Sequence, residues 1–117
     1  MIGTEVALVA GLGACGALVR WGLILAASEH ARGRAVVGAN TLGSVLAGLA
    51  IAGVFGPWGV VLAVGLFGAI TTLSTLAVDS VEAWTKSRLS GVWLLGGHLV
   101  GGLGGVALGV LLGSVLA

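Results

Sequence analysis

The sequence predicts an all-α membrane protein: four transmembrane helices, the third of them broken. Three observations predict it. The chain of 117 residues is 58% hydrophobic and only 8% charged, whereas soluble domains carry about a quarter charged residues. The few charges gather in clusters that separate four apolar stretches. A dense run of hydroxyls then interrupts the third stretch. A crossing helix uses about 20 apolar residues, so four use roughly 80 and leave only short loops. Residues 1–117 are therefore expected to form one domain, with no room for a separate soluble one.

The apolar stretches run roughly from Val6 to Ala27, Ala35 to Phe55, Gly59 to Val78 and Gly91 to Leu116. Between them lie the connectors Ser28–Arg34, Gly56–Gly59 and Thr85–Ser90, and the single proline, Pro57, falls in the second. Trp58, Trp84 and Trp93 sit near predicted span ends, as an aromatic belt requires, with Trp21 somewhat deeper. No basic leader precedes the first stretch, so a cleavable signal peptide is not expected. Ten-residue segments of alternating polarity are absent, which argues against a β-barrel.

Charge placement predicts orientation. Arg32 and Arg34 lie in the first connector and Lys86 and Arg88 in the third, which share a side in a four-span chain. The opposite side, with both termini and the second connector, holds no Lys or Arg. Positive-inside bias places the two basic connectors in the cytoplasm of a cell-membrane protein. With a net charge of +1, the chain lacks the basic footprint of a nucleic-acid binder. No nucleophile–base pair or metal-ligand cluster suggests an enzyme.

The first stretch carries Gly13 with Ala17 and Ala10 with Ala14, small pairs at helical spacing. It also carries Gly11-Leu12-Gly13-Ala14-Cys15-Gly16, a G-x-G-x-x-G string without the strand–turn–helix setting or later acidic residue of a dinucleotide site. Cys15, the only cysteine, excludes an intrachain disulfide and reads as an inert thiol. In the second stretch Asn40 is the strongly polar residue, with Thr41 beside it and Ser44 one turn on. Asn40 is either helix–helix glue or an anion donor.

In the third stretch Gly68, Thr71, Thr75, Asp79 and Glu82 fall on one side at 3.6 residues per turn, with Ser74 at the edge. Hydroxyls can replace an ion's hydration without fixing a charge in the bilayer. Thr71, Thr72, Ser74 and Thr75 so close together, beside Gly68, suggest a broken helix lining a cavity. In the last stretch Gly97, Gly101, Gly105, Gly109 and Gly113 form a packing stripe, with Gly96, Gly102 and Gly104 next to it. His98 adjoins the stripe and reads as a packed histidine. Asp79 and Glu82, at a helix end, are expected to be solvated or paired with Lys86 or Arg88.

Three ordered motifs resemble the CrcB/Fluc fluoride channels: Gly13-Ala14-Cys15-Gly16-Ala17-Leu18-Val19-Arg20, Gly38-Ala39-Asn40-Thr41-Leu42-Gly43-Ser44, and Gly65 through Asp79 with its Thr-Thr-x-Ser-Thr core. The resemblance implies passive fluoride export through a dimer whose subunits are antiparallel in the membrane. It also implies a structural sodium ion at the dimer centre, held by backbone carbonyls that correspond to Gly68 and Thr71. The ion pathway would then use the Asn40 amide, hydroxyls of Ser44, Thr72, Ser74 and Thr75, and Arg20, which either attracts the anion or anchors its helix. Fluoride is small and strongly hydrated, so its water must be exchanged for such donors.

The chain departs from that family where phenylalanine rings usually face the anion: Leu73 and Leu76 stand there, and Ile70 replaces a further aromatic just before the threonines. Phe67 lies off the motif and Phe55 belongs to another helix, while Asp79 stands where Glu is usual. An antiparallel homodimer also needs a chain with little Lys/Arg bias. The expected partner is therefore a separately encoded, oppositely oriented paralogue. Two alternatives remain: a non-conducting structural subunit of such a heterodimer, and a small multidrug-type antiporter, which would need a carboxylate deep in the bundle.

Overall fold

The computed structural model describes residues 2–71 and 73–117, and the side chains of these except His30, Leu73, Ser74 and Thr75. Thr72, a candidate pathway residue, lies outside the described residues. The described chain is helical throughout its ordered elements: α1 (Gly3–Ala26), a short 3-10 turn (Glu29–Ala31), α2 (Arg32–Ile51), α3 (Gly56–Ile70), α4 (Leu73–Lys86) and α5 (Arg88–Leu116). No strand occurs among the described residues. Helices α1, α2 and α5, of 24, 20 and 29 residues, are each long and apolar enough to cross a membrane. The discarded G-x-G-x-x-G string is a continuous part of α1.

The third apolar stretch is two helices. Helix α3 opens with a 3-10 turn led by Pro57, loosens to a π-helical turn over Ala63–Phe67, and ends at Ile70. Thr71 is extended, with φ −78° and ψ 153°. The causes are local. A β-branched run, Ile70-Thr71-Thr72, disfavours helix, and the Thr71 hydroxyl donates to Gly68 O at 2.9 Å, competing with the backbone. The expected break is present, and it corrects the expected polar face. Gly68 belongs to the end of α3, Thr71 follows that end in extended conformation, and Asp79 and Glu82 belong to α4, so no single helix carries them in one line.

The connectors are shorter than the charge clusters suggest. Arg32 and Arg34 lie inside the first turn of α2, and Lys86 and Arg88 are the last residue of α4 and the first of α5. Charge does not end a helix; capping does. Ser87 alone forms the third connector, its Oγ accepting the Ser90 N–H at 3.4 Å. The reversal after α2 relies on Gly53 (φ +88°) and Gly56 (φ +54°), left-handed positions that a side chain disfavours.

Packing runs through glycine. Helices α2 and α5 form the most extensive contact of the chain. A Cβ at Gly109 would strike Val45 O, and one at Gly48 would strike Val106 O. Likewise a Cβ at Gly105 would lie 3.0 Å from Thr41 O, and one at Gly113 would lie 2.5 Å from Ala52 Cβ. The predicted stripe is thus an intrachain seam against α2. Helix α1 packs on α3 through Val9, Leu12, Gly13 and Gly16, where a Gly16 Cβ would lie 2.5 Å from Leu66 O. Ala10 and Ala14, the second small pair, are exposed instead.

Among the described residues few apolar side chains are buried: Val36, Ala39, Val61, Phe67 and Ile70. Large ones such as Leu18, Trp21, Leu103 and Val115 point outward, with Val115 83% exposed. That inverted distribution is what a lipid solvent permits, since only shape, not apolarity, separates helix from lipid.

Candidate functional site

The break sets the site's first feature. A helix end leaves backbone carbonyls without intrahelical partners, and in an apolar setting each needs another donor. Arg20, two turns from the end of α1, supplies it: its Nη1 donates to Ala69 O at 3.0 Å and to Thr71 O at 3.2 Å. Gly16, one turn before Arg20, gives the close approach of α1 to α3 that the bond needs. The guanidinium therefore closes the interruption from a neighbouring helix and brings a fixed positive charge to it. Neither expected role of Arg20, anion attraction or anchoring, anticipates this bond.

Gly68 and Thr71 meet at the same place. Gly68 is exposed and its carbonyl accepts the Thr71 hydroxyl, while the Thr71 carbonyl accepts Arg20. A carbonyl oxygen has two lone pairs, so each retains capacity for a further partner. Helix α2 approaches the break too: a Cβ at Gly43 would lie 2.6 Å from Thr71 Cγ2.

The second feature joins α2 to α5. Asn40 Nδ2 donates to His98 Nδ1 at 3.1 Å. His98, 7% exposed, is thus the buried partner of the one strongly polar amide of α2. Sequence reading missed this pair, though its signal was present. The glycine stripe identified the face of α5 that meets another helix, and His98 borders it. Ser44 Oγ donates to Asn40 O at 2.8 Å, so its single hydroxyl hydrogen is engaged within α2. The hydroxyl hydrogen of Thr71 is engaged likewise on Gly68 O. Ser74 and Thr75 belong to the first turn of α4; their side chains lie outside those described.

The aromatic rings are accounted for by each other. Phe55 and Phe67 stand 5.5 Å apart at an interplanar angle of 49°, with Phe67 buried. Ile70 is also buried, packed in the interior. Leu76 is half-buried.

The third feature is a cleft of about 670 Å³ at the end where both basic connectors meet. Arg32, Arg34 and Lys86 line it with Glu29, Asp79 and Glu82, and Trp93 forms part of its wall. Residues of the two basic connectors thus share one end of the described structure. Arg88 lies over the Trp84 ring at 5.8 Å, a cation–π contact in place of the expected carboxylate. Asp79 and Glu82, three apart on α4, share the cleft.

The chain is 36% identical over 82 residues to a protein described as fluoride-specific ion channel FluC 2 from Halalkalibacterium halodurans, covering 70% of this chain and 61% of that relative. The chain thus matches less than two thirds of that relative's length. No solved structure matches. A family model described as CrcB-like protein, Camphor Resistance (CrcB), matches residues 7–110 and so takes in Arg20, Asn40, the break and His98 together. The chain belongs to the CrcB-like family.

Proposed function

We propose that the chain is a subunit of a fluoride channel that lets the anion leave the cytoplasm passively. Hydrogen fluoride enters cells as a neutral weak acid and dissociates, and an anion path lets membrane potential drive fluoride out. The observation that carries this reading is the interrupted third segment. Arg20, a fixed positive group, bonds to the backbone at that break, next to which the sequence carries the hydroxyls of Thr71–Thr75, within a chain similar to a protein whose name states fluoride conduction. In this reading α3 and α4 together make one crossing, so the chain crosses four times with its basic connectors in the cytoplasm.

Asn40, Thr72, Ser74 and Thr75 are the donors along the path, and Ser44 supports Asn40 by its bond to the same residue's carbonyl. Arg20 keeps three further N–H donors beyond those on Nη1 and supplies the electrostatic attraction. The carbonyls of Gly68 and Thr71 suit a hard monovalent cation such as sodium: they are oxygen donors at a helix break, and each has a lone pair to spare. An antiparallel pair would present both carbonyls twice, a set that one chain cannot complete.

The partner in that pair is a separately encoded paralogue of opposite charge bias. Here Leu73 and Leu76 bring no ring edge to an anion, and Phe67 is engaged with Phe55, so the partner supplies the rings. A second reading, a structural subunit that conducts nothing itself, is favoured by the same leucines and by the internally bonded hydroxyls of Ser44 and Thr71. Fluoride-electrode efflux from liposomes decides. Robust flux is expected with this chain and its paralogue together, and little with this chain alone. Asn40→Ala in the pair abolishes flux in the first reading and leaves it unchanged in the second.

A further inference from the structure

Three buried polar side-chain atoms have no hydrogen-bond partner among the described residues: Asp79 Oδ2, Ser80 Oγ and His98 Nε2. All three lie on α4 and α5, which pack against one another. Buried polar atoms are satisfied in native structures, by protein or by ordered water, so this concentration calls for an occupant.

The hydrogen-bond pattern says what the occupant must do. Asn40 Nδ2 is a donor only, so its 3.1 Å contact makes His98 Nδ1 the acceptor. The neutral imidazole then carries its hydrogen on Nε2 and offers an unused, buried donor. Asp79 offers the opposite: a carboxylate lining the cleft whose Oδ2 is buried and accepts nothing. The two groups lie on helices that pack against one another, each with its unpartnered atom buried. Gly97, next to His98, lines the same cleft as Asp79, so the cleft comes within one residue of His98. Water accepts from an N–H and donates to a carboxylate, and it satisfies both ends at once. An anion would satisfy only the imidazole and would meet the carboxylate's charge.

We propose that Asp79, a buried water, His98 and Asn40 form one hydrogen-bonded chain in which Asp79 and His98 act as positioning residues that fix the direction of the Asn40 amide. The chain links the charged cleft to the polar residue of α2. Its functional consequence rests on the reading of Asn40 as a pathway donor; its existence does not. The His98 bond orients the Asn40 amide before an anion arrives, which avoids reorganisation during passage.

The test has two arms. In lipid nanodiscs, the full chain carrying His30→Gln and nitrogen-15-labelled histidine reports His98 alone. Nδ1 is expected to be unprotonated and Nε2 protonated; Asn40→Ala moves the Nδ1 resonance and Asp79→Asn moves the Nε2 resonance. A proton on Nδ1, or an Nε2 resonance indifferent to Asp79→Asn, overturns the proposal. In conducting liposomes, Asp79→Asn and His98→Leu each slow fluoride flux about tenfold, the double variant slows it no further, and His98→Gln restores part of it. Additive losses overturn the chain as a unit. Where no preparation conducts at all, the channel reading fails and the resonances still decide the hydrogen-bonded chain.

Discussion

The α2–α5 seam and the α3–α4 break solve opposite problems with opposite chemistry. At the seam, side chains are removed: Gly48 and Gly109 face each other's helices so closely that a Cβ on either would meet backbone. At the break, side chains are added: Arg20 donates to Ala69 O and Thr71 O, and Thr71 donates to Gly68 O. The seam is steric and holds two intact helices together. The break is polar and compensates for one helix that has been cut. The difference teaches why the cut can be tolerated in an apolar surrounding, where every unsatisfied backbone group is costly. It is stabilised by a half-buried residue on a helix whose one fully buried position is Gly16.

The largest effect is expected at the seam. Gly109→Val places a branched side chain against Val45 O and the Gly48 backbone, neither of which can rotate away. Overpacking of this kind costs about 3 kcal/mol, and the variant should lose its monodisperse gel-filtration peak and most of its thermal stability in detergent. Retention of both would mean that α2 and α5 can separate without loss, and the seam would not be the structural half of the comparison.

A smaller effect is expected at the break. Arg20→Ala leaves two carbonyls without their charged donor, and hydrogen bonds to charged groups contribute about 1.5–3 kcal/mol. The variant should remain folded, with a thermal midpoint above that of Gly109→Val, while fluoride efflux by the paired channel falls sharply. Arg20→Lys, which keeps the charge but not the fork, should recover stability more than flux. An Arg20→Ala protein as unstable as Gly109→Val would erase the distinction between a steric seam and a functional break.

The two regions also differ in how far the sequence discloses them. The seam was legible because its cause is periodic: glycine at every fourth position of α5 predicts a flat face, and the structure places α2 against it. The interruption was legible as well, from Gly68 and the hydroxyls that follow. What closes it was not. Arg20 and Ala69 are joined across 49 positions and Asn40 and His98 across 58, and no local pattern encodes which distant atom a polar group will meet. The connectors failed for a different reason. Arg32, Arg34, Lys86 and Arg88 mark the membrane boundary by charge but continue the helices by propensity, so charge located the ends of the apolar stretches and overestimated the loops.

The smallest effect sharpens the seam itself. Gly104 belongs to the same helix as Gly105 and Gly109 yet has nothing within 4 Å of where a Cβ would stand, as has Gly96. If glycine serves α5 only by permitting contact with α2, then Gly104→Ala removes no contact and gains up to about 1 kcal/mol of helix propensity. The variant should match or slightly exceed the parent in thermal midpoint, and efflux by the paired channel should be unchanged. Both readouts are needed because they separate two uses of the same residue type. A loss of stability in the isolated chain would place a further intrachain contact at Gly104. Unchanged stability with lost efflux would assign the exposed glycines to the face that meets the partner subunit, making α5 a helix with two seams rather than one.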